Sequence, residues 1–222
     1  MPNTLMLLGF STAGKSTILN QLKSKYGERI GTIDTDSEIS ADYDYHIFNI
    51  FLSLSKPDGC TKDALDFIER KEREILISLV DRCTKSSVPI VIASGPAIVA
   101  RQPQWSHFLN EVEPVCYYLK LTPEEVFRGL RARRESPKFD EVRNCPMFGC
   151  WDLDVITTFH NDTYELFSEK DALEKIRSQM KSLTEKYEEF AQRNIFPARE
   201  LESNESLRSE FYSSIAVDLR LT

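Results

Sequence analysis

The sequence predicts an α/β fold in which helices cover both faces of a parallel β-sheet. A short apolar run, Leu5 to Leu8, leads directly into a glycine-containing turn and then into a helix-like pattern. Further apolar runs alternate with helical periodicity along the chain, and the clearest of them is the β-branched stretch Pro89 to Ala93. Strands that alternate with helices in this way are typical of a parallel sheet.

Composition narrows the class of protein. The chain has 222 residues, 41% of them hydrophobic and 28% charged, and a formal net charge of -7. This profile suits a globular domain with a sizeable core. The acidic balance argues against nucleic acid as a partner, because proteins that neutralise phosphate backbones usually carry a basic surplus. The sequence leaves the oligomeric state open.

Targeting signals are also informative. No stretch approaches the roughly 20 apolar residues of a membrane span, and Met1 to Thr4 lacks the basic residues of a signal peptide. The 5 cysteines are scattered, which favours reduced thiols over a disulfide framework. We therefore expect a cytoplasmic protein without a membrane partner.

The remaining elements follow in chain order. The pattern predicts helices over 15–26, 63–83 and 170–193, and strands over 30–33, 115–121 and 162–167, the last as a fifth strand. Thr122 begins another helix, which extends to about Arg134, because proline occupies its first position and a glutamate follows the cap by three residues. Residues 135–160 are predicted to form a long mobile loop. We expect a domain over residues 1–193 and a C-terminal extension over 194–222.

The segment Gly9 to Thr17, GFSTAGKST, has the spacing of a phosphate-binding loop. Backbone N–H groups from Ser11 to Ser16 are expected to face a β-phosphate, helped by the positive end of the following helix. Lys15 would reach the β- and γ-phosphates, and the Ser16 hydroxyl would bind Mg²⁺. The predicted nucleotide-binding residues are Gly9, Ser11, Thr12, Ala13, Gly14, Lys15, Ser16 and Thr17.

An acidic triplet, Asp34-Thr35-Asp36, follows the second predicted strand. Ligands of open parallel sheets bind beyond the carboxyl ends of the strands. One carboxylate could hold the Mg²⁺ water shell, and the other could orient an acceptor hydroxyl or receive its proton. The alternative is an ordinary turn, since aspartate and threonine favour turns.

Four arginines end the helix that begins at Thr122, namely Arg128, Arg131, Arg133 and Arg134. Arginine suits bidentate capture of phosphate oxygens and stabilisation of charge that develops during phosphoryl transfer. The alternative is a solvated basic face, which the C-terminus of a helix also favours.

These three motifs together resemble the shikimate kinase family, a group of small-molecule kinases with a nucleoside-monophosphate-kinase-like fold. The resemblance extends from Leu5 to Leu183. It is carried by GFSTAGKST, IDTDSEI at 33–39, IF at 47–48, RKEREIL at 70–76, VIASGPAIVAR at 91–101 and YLKLTPEEVFRGLRARRESP at 118–137. It implies a three-layer P-loop NTPase fold with a five-stranded parallel sheet and a mobile lid at about 134–160.

The resemblance also implies roles for individual residues. ATP would be the phosphoryl donor, with Mg²⁺ held by Ser16 and Asp34. Asp36 would contact the hydroxyl of a small-molecule acceptor. Arg128 would bind the nucleotide, and Lys15, Asp36, Arg131 and Arg134 would be the catalytic residues.

The sequence departs from the family on the acceptor side. The family has three glycines after its third strand, whereas this chain has Ser94-Gly95-Pro96 and matches only at Gly95. The family's carboxylate-binding Phe-Arg pair is replaced by Ile68-Glu69, which leaves Arg70 as the nearest substitute. Loss of such an arginine would cost a carboxylate substrate about 2–5 kcal/mol. We therefore expect a different or modified acceptor, bound by Asp36, Arg70 and Gly95.

Two other functions remain open at this stage. A nucleoside or nucleotide kinase would share the same fold and the same phosphate loop. A nucleotide-binding switch or scaffold would need no acceptor pocket, and the long loop and the C-terminal extension would then serve as partner surfaces. The chain lacks the Asn-Lys-x-Asp sequence that would indicate guanine binding.

Overall fold

The computed structural model describes residues 4–41, 62–95, 99, 103–134, 157–160, 163–166 and 168–221. The strands are β1 (Thr4–Leu8), β2 (Gly31–Asp34), β3 (Ile90–Ala93), β4 (Val115–Lys120), β5 (Thr157–His160), β6 (Thr163–Leu166) and β7 (Ile195–Pro197). The helices are α1 (Lys15–Tyr26), α2 (Thr35–Ala41), α3 (Lys62–Lys85), α4 (Gln104–Val112), α5 (Pro123–Arg134), α6 (Glu169–Ala191), α7 (Ala198–Ser203) and α8 (Glu205–Asp218). None of these helices has the length and hydropathy that a membrane span requires.

The chain divides into two compact units. The first unit comprises Met1–Thr35, Glu72–Leu121 and Leu183–Thr222, and the second comprises Asp36–Lys71 and Thr122–Ser182. Most of the predicted lid, residues 135–156, lies outside the described residues, as do residues 47–48 of the family resemblance.

The first unit is built on a five-stranded sheet in the order β2-β3-β1-β4-β7. All four of its strand pairs are parallel, which confirms the predicted sheet. The prediction of the fifth strand was wrong, however. Residues 163–166 do form a strand, but it pairs antiparallel with β5 in a separate two-stranded sheet. The fifth strand of the main sheet is β7, which pairs with β4.

The register of the sheet places three strand ends in one row. Leu7 of β1 lies opposite Ala93 of β3, and Ala93 lies opposite Asp34 of β2. Side chains Leu5 to Leu8 have no exposed surface, as expected for a central parallel strand that is covered on both faces. The segments that leave β1, β2 and β3 therefore emerge side by side at the carboxyl edge of the sheet.

Two consecutive tyrosines of β4 show which helices cover each face. Neighbouring side chains of a strand point to opposite faces of a sheet. The ring of Tyr117 packs against Phe211 of α8 with 5.7 Å between ring centroids. The ring of Tyr118 packs against Tyr187 of α6 at 5.1 Å. Helices α8 and α6 therefore cover opposite faces, which gives the first unit its three layers.

Residues 194–222, predicted from the sequence to be a C-terminal extension, contribute to the main sheet and its packing. Phe196 of β7 and Phe211 of α8 pack together at 5.0 Å between ring centroids. The Tyr117 hydroxyl donates a hydrogen bond of 2.7 Å to Asp218, near the end of α8. Burial and the nearby Asp218 carboxylate raise the pKa of Tyr117 above its ordinary value.

The second unit contains the predicted capping box at the start of α5. The Glu125 N–H donates to the Thr122 hydroxyl at 3.2 Å, and the Thr122 N–H donates to the Glu125 carboxylate at 2.7 Å. Glu124 forms an ion pair of 2.6 Å with Arg177 of α6. Its own backbone N–H, and then Arg177, hold the pKa of Glu124 below its usual value.

The packing of α8 generates a first prediction. Phe211→Ala removes a ring that is 1% exposed and contacts both Tyr117 and Phe196. We expect a loss of about 3–5 kcal/mol in the free energy of unfolding, measured by urea denaturation. Val217→Ala is the matched control, because this side chain lies on the same helix and is 62% exposed. Its effect should stay within about 0.5 kcal/mol. Equal losses in the two variants would contradict this account of the α8 packing.

Candidate active site

The predicted phosphate-binding loop connects β1 to α1. Its backbone has positive φ at Gly9 (147°), Thr12 (72°) and Gly14 (83°). Within the loop, the Ala13 N–H donates to the Phe10 carbonyl at 3.2 Å. Helix α1 begins at Lys15, directly after the left-handed Gly14. The N-terminal turn of α1, with its positive end, therefore follows directly from the loop.

At Gly9 the loop passes very close to a neighbouring strand. A Cβ atom at Gly9 would lie 2.8 Å from the carbonyl oxygen of Leu119 in β4 and 3.3 Å from the Cβ of Ala13. The φ of 147° is a second constraint, since L side chains rarely adopt it. Glycine is thus required here both by the backbone conformation and by the space available.

Lys15 is buried inside the loop rather than extended into solvent. The residue is 8% exposed. Its Nζ donates hydrogen bonds of 2.7 Å to the Gly9 carbonyl and 3.0 Å to the Phe10 carbonyl. A buried ammonium held by backbone carbonyls concentrates positive charge at the loop, where an anion would be attracted.

Ser16, in the first turn of α1, meets Asp34 at the end of β2. The Ser16 hydroxyl donates a hydrogen bond of 2.6 Å to the Asp34 carboxylate, across 18 residues of sequence. A hydroxyl and a carboxylate oxygen are ligands that Mg²⁺ accepts, and in protein sites this ion is completed by water and substrate phosphates. The two residues present at this position therefore fit a Mg²⁺ ion that arrives with a polyphosphate.

Two further contacts connect the segment after β3 to Thr35, which directly follows β2, and to Leu7 of β1. The Gly95 N–H donates to the Thr35 hydroxyl at 2.8 Å, and the Ser94 hydroxyl donates to the Leu7 carbonyl at 3.2 Å. Thr35 is 1% exposed, so it acts inside the structure rather than at the surface. The sequence motifs do not indicate this role of Thr35. The one feature of the sequence that points to this position is that two aspartates flank the threonine.

A cavity of about 280 Å³ borders the phosphate loop. This volume is close to the lower limit of typical small-molecule sites. One side is formed by the loop and α1, including Gly14, Thr17 and Gln21, and the other by α7 and α8, including Leu201 and Tyr212. The Tyr212 hydroxyl donates a hydrogen bond to the Gln21 side chain and so links α8 to α1 beside the cavity.

The contacts described above connect the predicted site residues that belong to the first unit. Residues 9–17, Asp34 and Gly95 belong to the first unit, where the contacts above connect them. The other predicted residues belong to the second unit, and their catalytic and acceptor roles stay predictions; they are Asp36, Arg70, Arg128, Arg131 and Arg134. Thr35 and Asp36 form the start of helix α2 and not an ordinary turn, which was the alternative interpretation of the acidic triplet.

The geometry at Gly9 generates a second prediction. Gly9→Ala combines an unfavourable positive φ with a contact too close to the Leu119 carbonyl, and we expect it to lower the free energy of unfolding by at least about 2 kcal/mol. Gly14→Ala is the matched control, because Gly14 has a left-handed backbone (φ 83°, ψ 13°) and a Cβ added there would meet nothing within 4 Å. It should cost only about 1 kcal/mol. Urea denaturation of both variants measures the difference, and an equal cost would show that the close approach is unimportant.

Comparisons with known proteins extend these observations. No family model matches the sequence, and no curated protein matches it. Solved structures do match. Shikimate kinase from Acinetobacter baumannii in complex with shikimate is 20% identical, with a TM-score of 0.58, over 100% of this chain and 95% of that chain. Shikimate kinase from Bacteroides thetaiotaomicron is 16% identical, with a TM-score of 0.60, over 98% of both chains.

A third structure agrees with these two. Shikimate kinase from Aquifex aeolicus is 17% identical, with a TM-score of 0.51, over 98% of this chain and 96% of that chain. At these identities the comparison concerns the fold. The chain therefore has the α/β fold of shikimate kinases, as the sequence motifs predict.

Proposed function

We propose that this protein is an ATP-dependent phosphotransferase that transfers the γ-phosphoryl group to a hydroxyl of a small molecule. The observation that carries the proposal is the arrangement around Ser16. A buried lysine and a 2.6 Å hydroxyl–carboxylate pair lie together at the first turn of α1. Positive charge for the phosphates and oxygen ligands for Mg²⁺ are two of the requirements of phosphoryl transfer.

The cavity beside the loop supports a nucleotide as the donor. Gly14 and Thr17 belong to the loop and also line the cavity, so a ligand whose phosphates occupy the loop has space for its nucleoside directly beside them. Leu201 and Phe211 give the cavity apolar walls, which suit the faces of a base. Free inorganic phosphate or pyrophosphate would leave this space unused.

In the proposed reaction the protein positions groups and stabilises charge. Lys15 would turn from the loop carbonyls toward the β- and γ-phosphates. Ser16 and Asp34 would hold the Mg²⁺ that binds with ATP, which neutralises charge on the transferred group. Asp36 would orient the acceptor hydroxyl or take up its proton, and Arg131 and Arg134 would stabilise charge on the transferred phosphoryl group. Such transfer needs little covalent chemistry from the protein.

The acceptor in this proposal is a hydroxylated small molecule that differs from shikimate or is a modified form of it. The sequence keeps Gly95 but replaces the other two glycines of that loop by Ser94 and Pro96. Ser94 is 1% exposed and donates to the Leu7 carbonyl, so its side chain is used within the sheet. Arg70 is the proposed substitute for the missing carboxylate-binding arginine.

Lys15→Ala tests the donor side of the proposal. We expect kcat/KM for ATP to fall at least about 100-fold, which corresponds to about 2.7 kcal/mol of lost transition-state stabilisation. Lys23→Ala is the matched control, because Lys23 lies on the same helix but is exposed. ADP release is measured with and without shikimate, and then with a panel of polyols, nucleosides and hydroxy amino acids.

Each result has a defined meaning. Stimulation by shikimate that Lys15→Ala abolishes would show that the altered acceptor side still accepts this substrate. Stimulation by a nucleoside would identify a nucleoside kinase. ATP binding without any acceptor-dependent turnover would contradict the proposed phosphotransferase and favour a nucleotide-binding switch. No binding of ATP would contradict all of these functions.

A further inference from the structure

Thr12 has a backbone conformation that its residue type disfavours. The structure describes four non-glycine residues with positive φ: Thr12, Glu113, Gln192 and Arg220. Glu113, Gln192 and Arg220 each lie just past the C-terminal end of a helix, where a left-handed residue commonly ends the helix. Thr12 instead lies in the phosphate loop with φ 72°, and for a β-branched residue this value is a genuine outlier. Helix termination therefore does not explain it.

The side chain of Thr12 is also unsatisfied. Its hydroxyl is shielded from solvent and has no hydrogen-bond partner among the described residues. Buried hydroxyl groups in native proteins almost always have a partner, and those that lack one often belong to functional sites. Both the strained backbone and the unpaired hydroxyl destabilise the free protein, and both fall on one residue of the phosphate loop.

The surroundings of Thr12 indicate what the missing partner is. The Lys15 Nζ lies 3.0 Å from the carbonyl of Phe10, two residues before Thr12. Positive φ at Thr12 and Gly14, separated by one residue, is the alternation that turns successive backbone N–H groups toward a common anion. A hydroxyl within such a loop would donate to an anionic oxygen. Rotation about χ1 is sufficient to change the group that this hydroxyl faces.

We propose that the Thr12 hydroxyl is a direct ligand of the bound polyphosphate, to which it donates a hydrogen bond that the free loop does not provide. This inference rests on the proposed function, in which the loop binds the phosphates of ATP. It goes beyond a general role of the loop amides, because it assigns a contact to one side chain. A glycine at position 12 would remove the backbone strain, and a serine would keep the hydroxyl. The contribution of the strain to stability and that of the hydroxyl to binding can therefore be measured separately.

The experiment uses the full chain and measures two quantities for each variant. The first is the Tm of the free protein, and the second is the Kd for ATP with Mg²⁺ and for inorganic tripolyphosphate, by calorimetry. The variants are Thr12→Ala, Thr12→Gly and Thr12→Ser. Thr84→Ala is the control, because the Thr84 hydroxyl donates to the Val80 carbonyl on an exposed part of α3.

We expect affinity and stability to change in opposite directions. Thr12→Ala and Thr12→Gly should weaken binding of both ligands by about 10-fold, which corresponds to about 1.4 kcal/mol. Both should raise the Tm of the free protein, because both remove the unpaired hydroxyl. The glycine variant also removes the Cβ, and its Tm should rise by about 2–4 °C. Thr12→Ser should bind within about threefold of the wild type, and Thr84→Ala should bind like the wild type.

Three results would overturn the proposal. Thr12→Ala binding both ligands as tightly as the wild type would show that the hydroxyl makes no contact. A Tm that falls together with affinity would show a purely structural role. Failure of the wild type to bind either ligand would overturn both this inference and the proposed function. A wild type that binds both ligands without phosphotransferase activity, with the expected Thr12 pattern, would support the inference and contradict the function alone.

Discussion

Parallel pairing among β1, β3 and β2 is the constraint on which the candidate site depends. The pairing places Leu7, Ala93 and Asp34 in one row, so that the segments after all three strands leave the same edge. Asp34 then meets Ser16 although 18 residues separate them. The side chains of β1 are fully buried, so this row of strand ends is anchored in the core of the first unit. The site is thus a consequence of core packing.

The same sheet connects the C-terminal helices to the candidate nucleotide cavity. On α8, Phe211 packs on Tyr117 of the sheet, and the adjacent Tyr212 bonds to Gln21 beside the cavity. Both side chains line the cavity, and Phe211 also packs in the core, so this helix contributes to both. A change that displaces α8 from the sheet would also displace the cavity wall, so under the proposed function stability and nucleotide affinity would be coupled through this helix.

Much of this architecture follows from sequence because its determinants are local. The GFSTAGKST loop, the apolar β1 and the Thr122 capping box each specify their structure within a few residues. The fifth strand does not. β7 has only three residues, Ile195–Pro197, which are too few to show a period, and its position depends on a parallel pairing with β4 that lies far away in the chain. The segment over 162–167 suggested a strand correctly, but nothing local indicated which sheet it joins.

The conformation of Thr12 could not be predicted for a related reason. Sequence spacing identifies a phosphate loop, but the φ of each residue is set by how the loop closes between β1 and α1. A glycine at this position would adopt φ 72° without strain, yet it would provide no hydroxyl. A strained β-branched residue persists only where the surrounding structure enforces its conformation, and such residues cluster at functional sites. In the proposed function, an anion bound at the loop, which holds Lys15 and precedes the positive end of α1, would supply the interaction that offsets this cost.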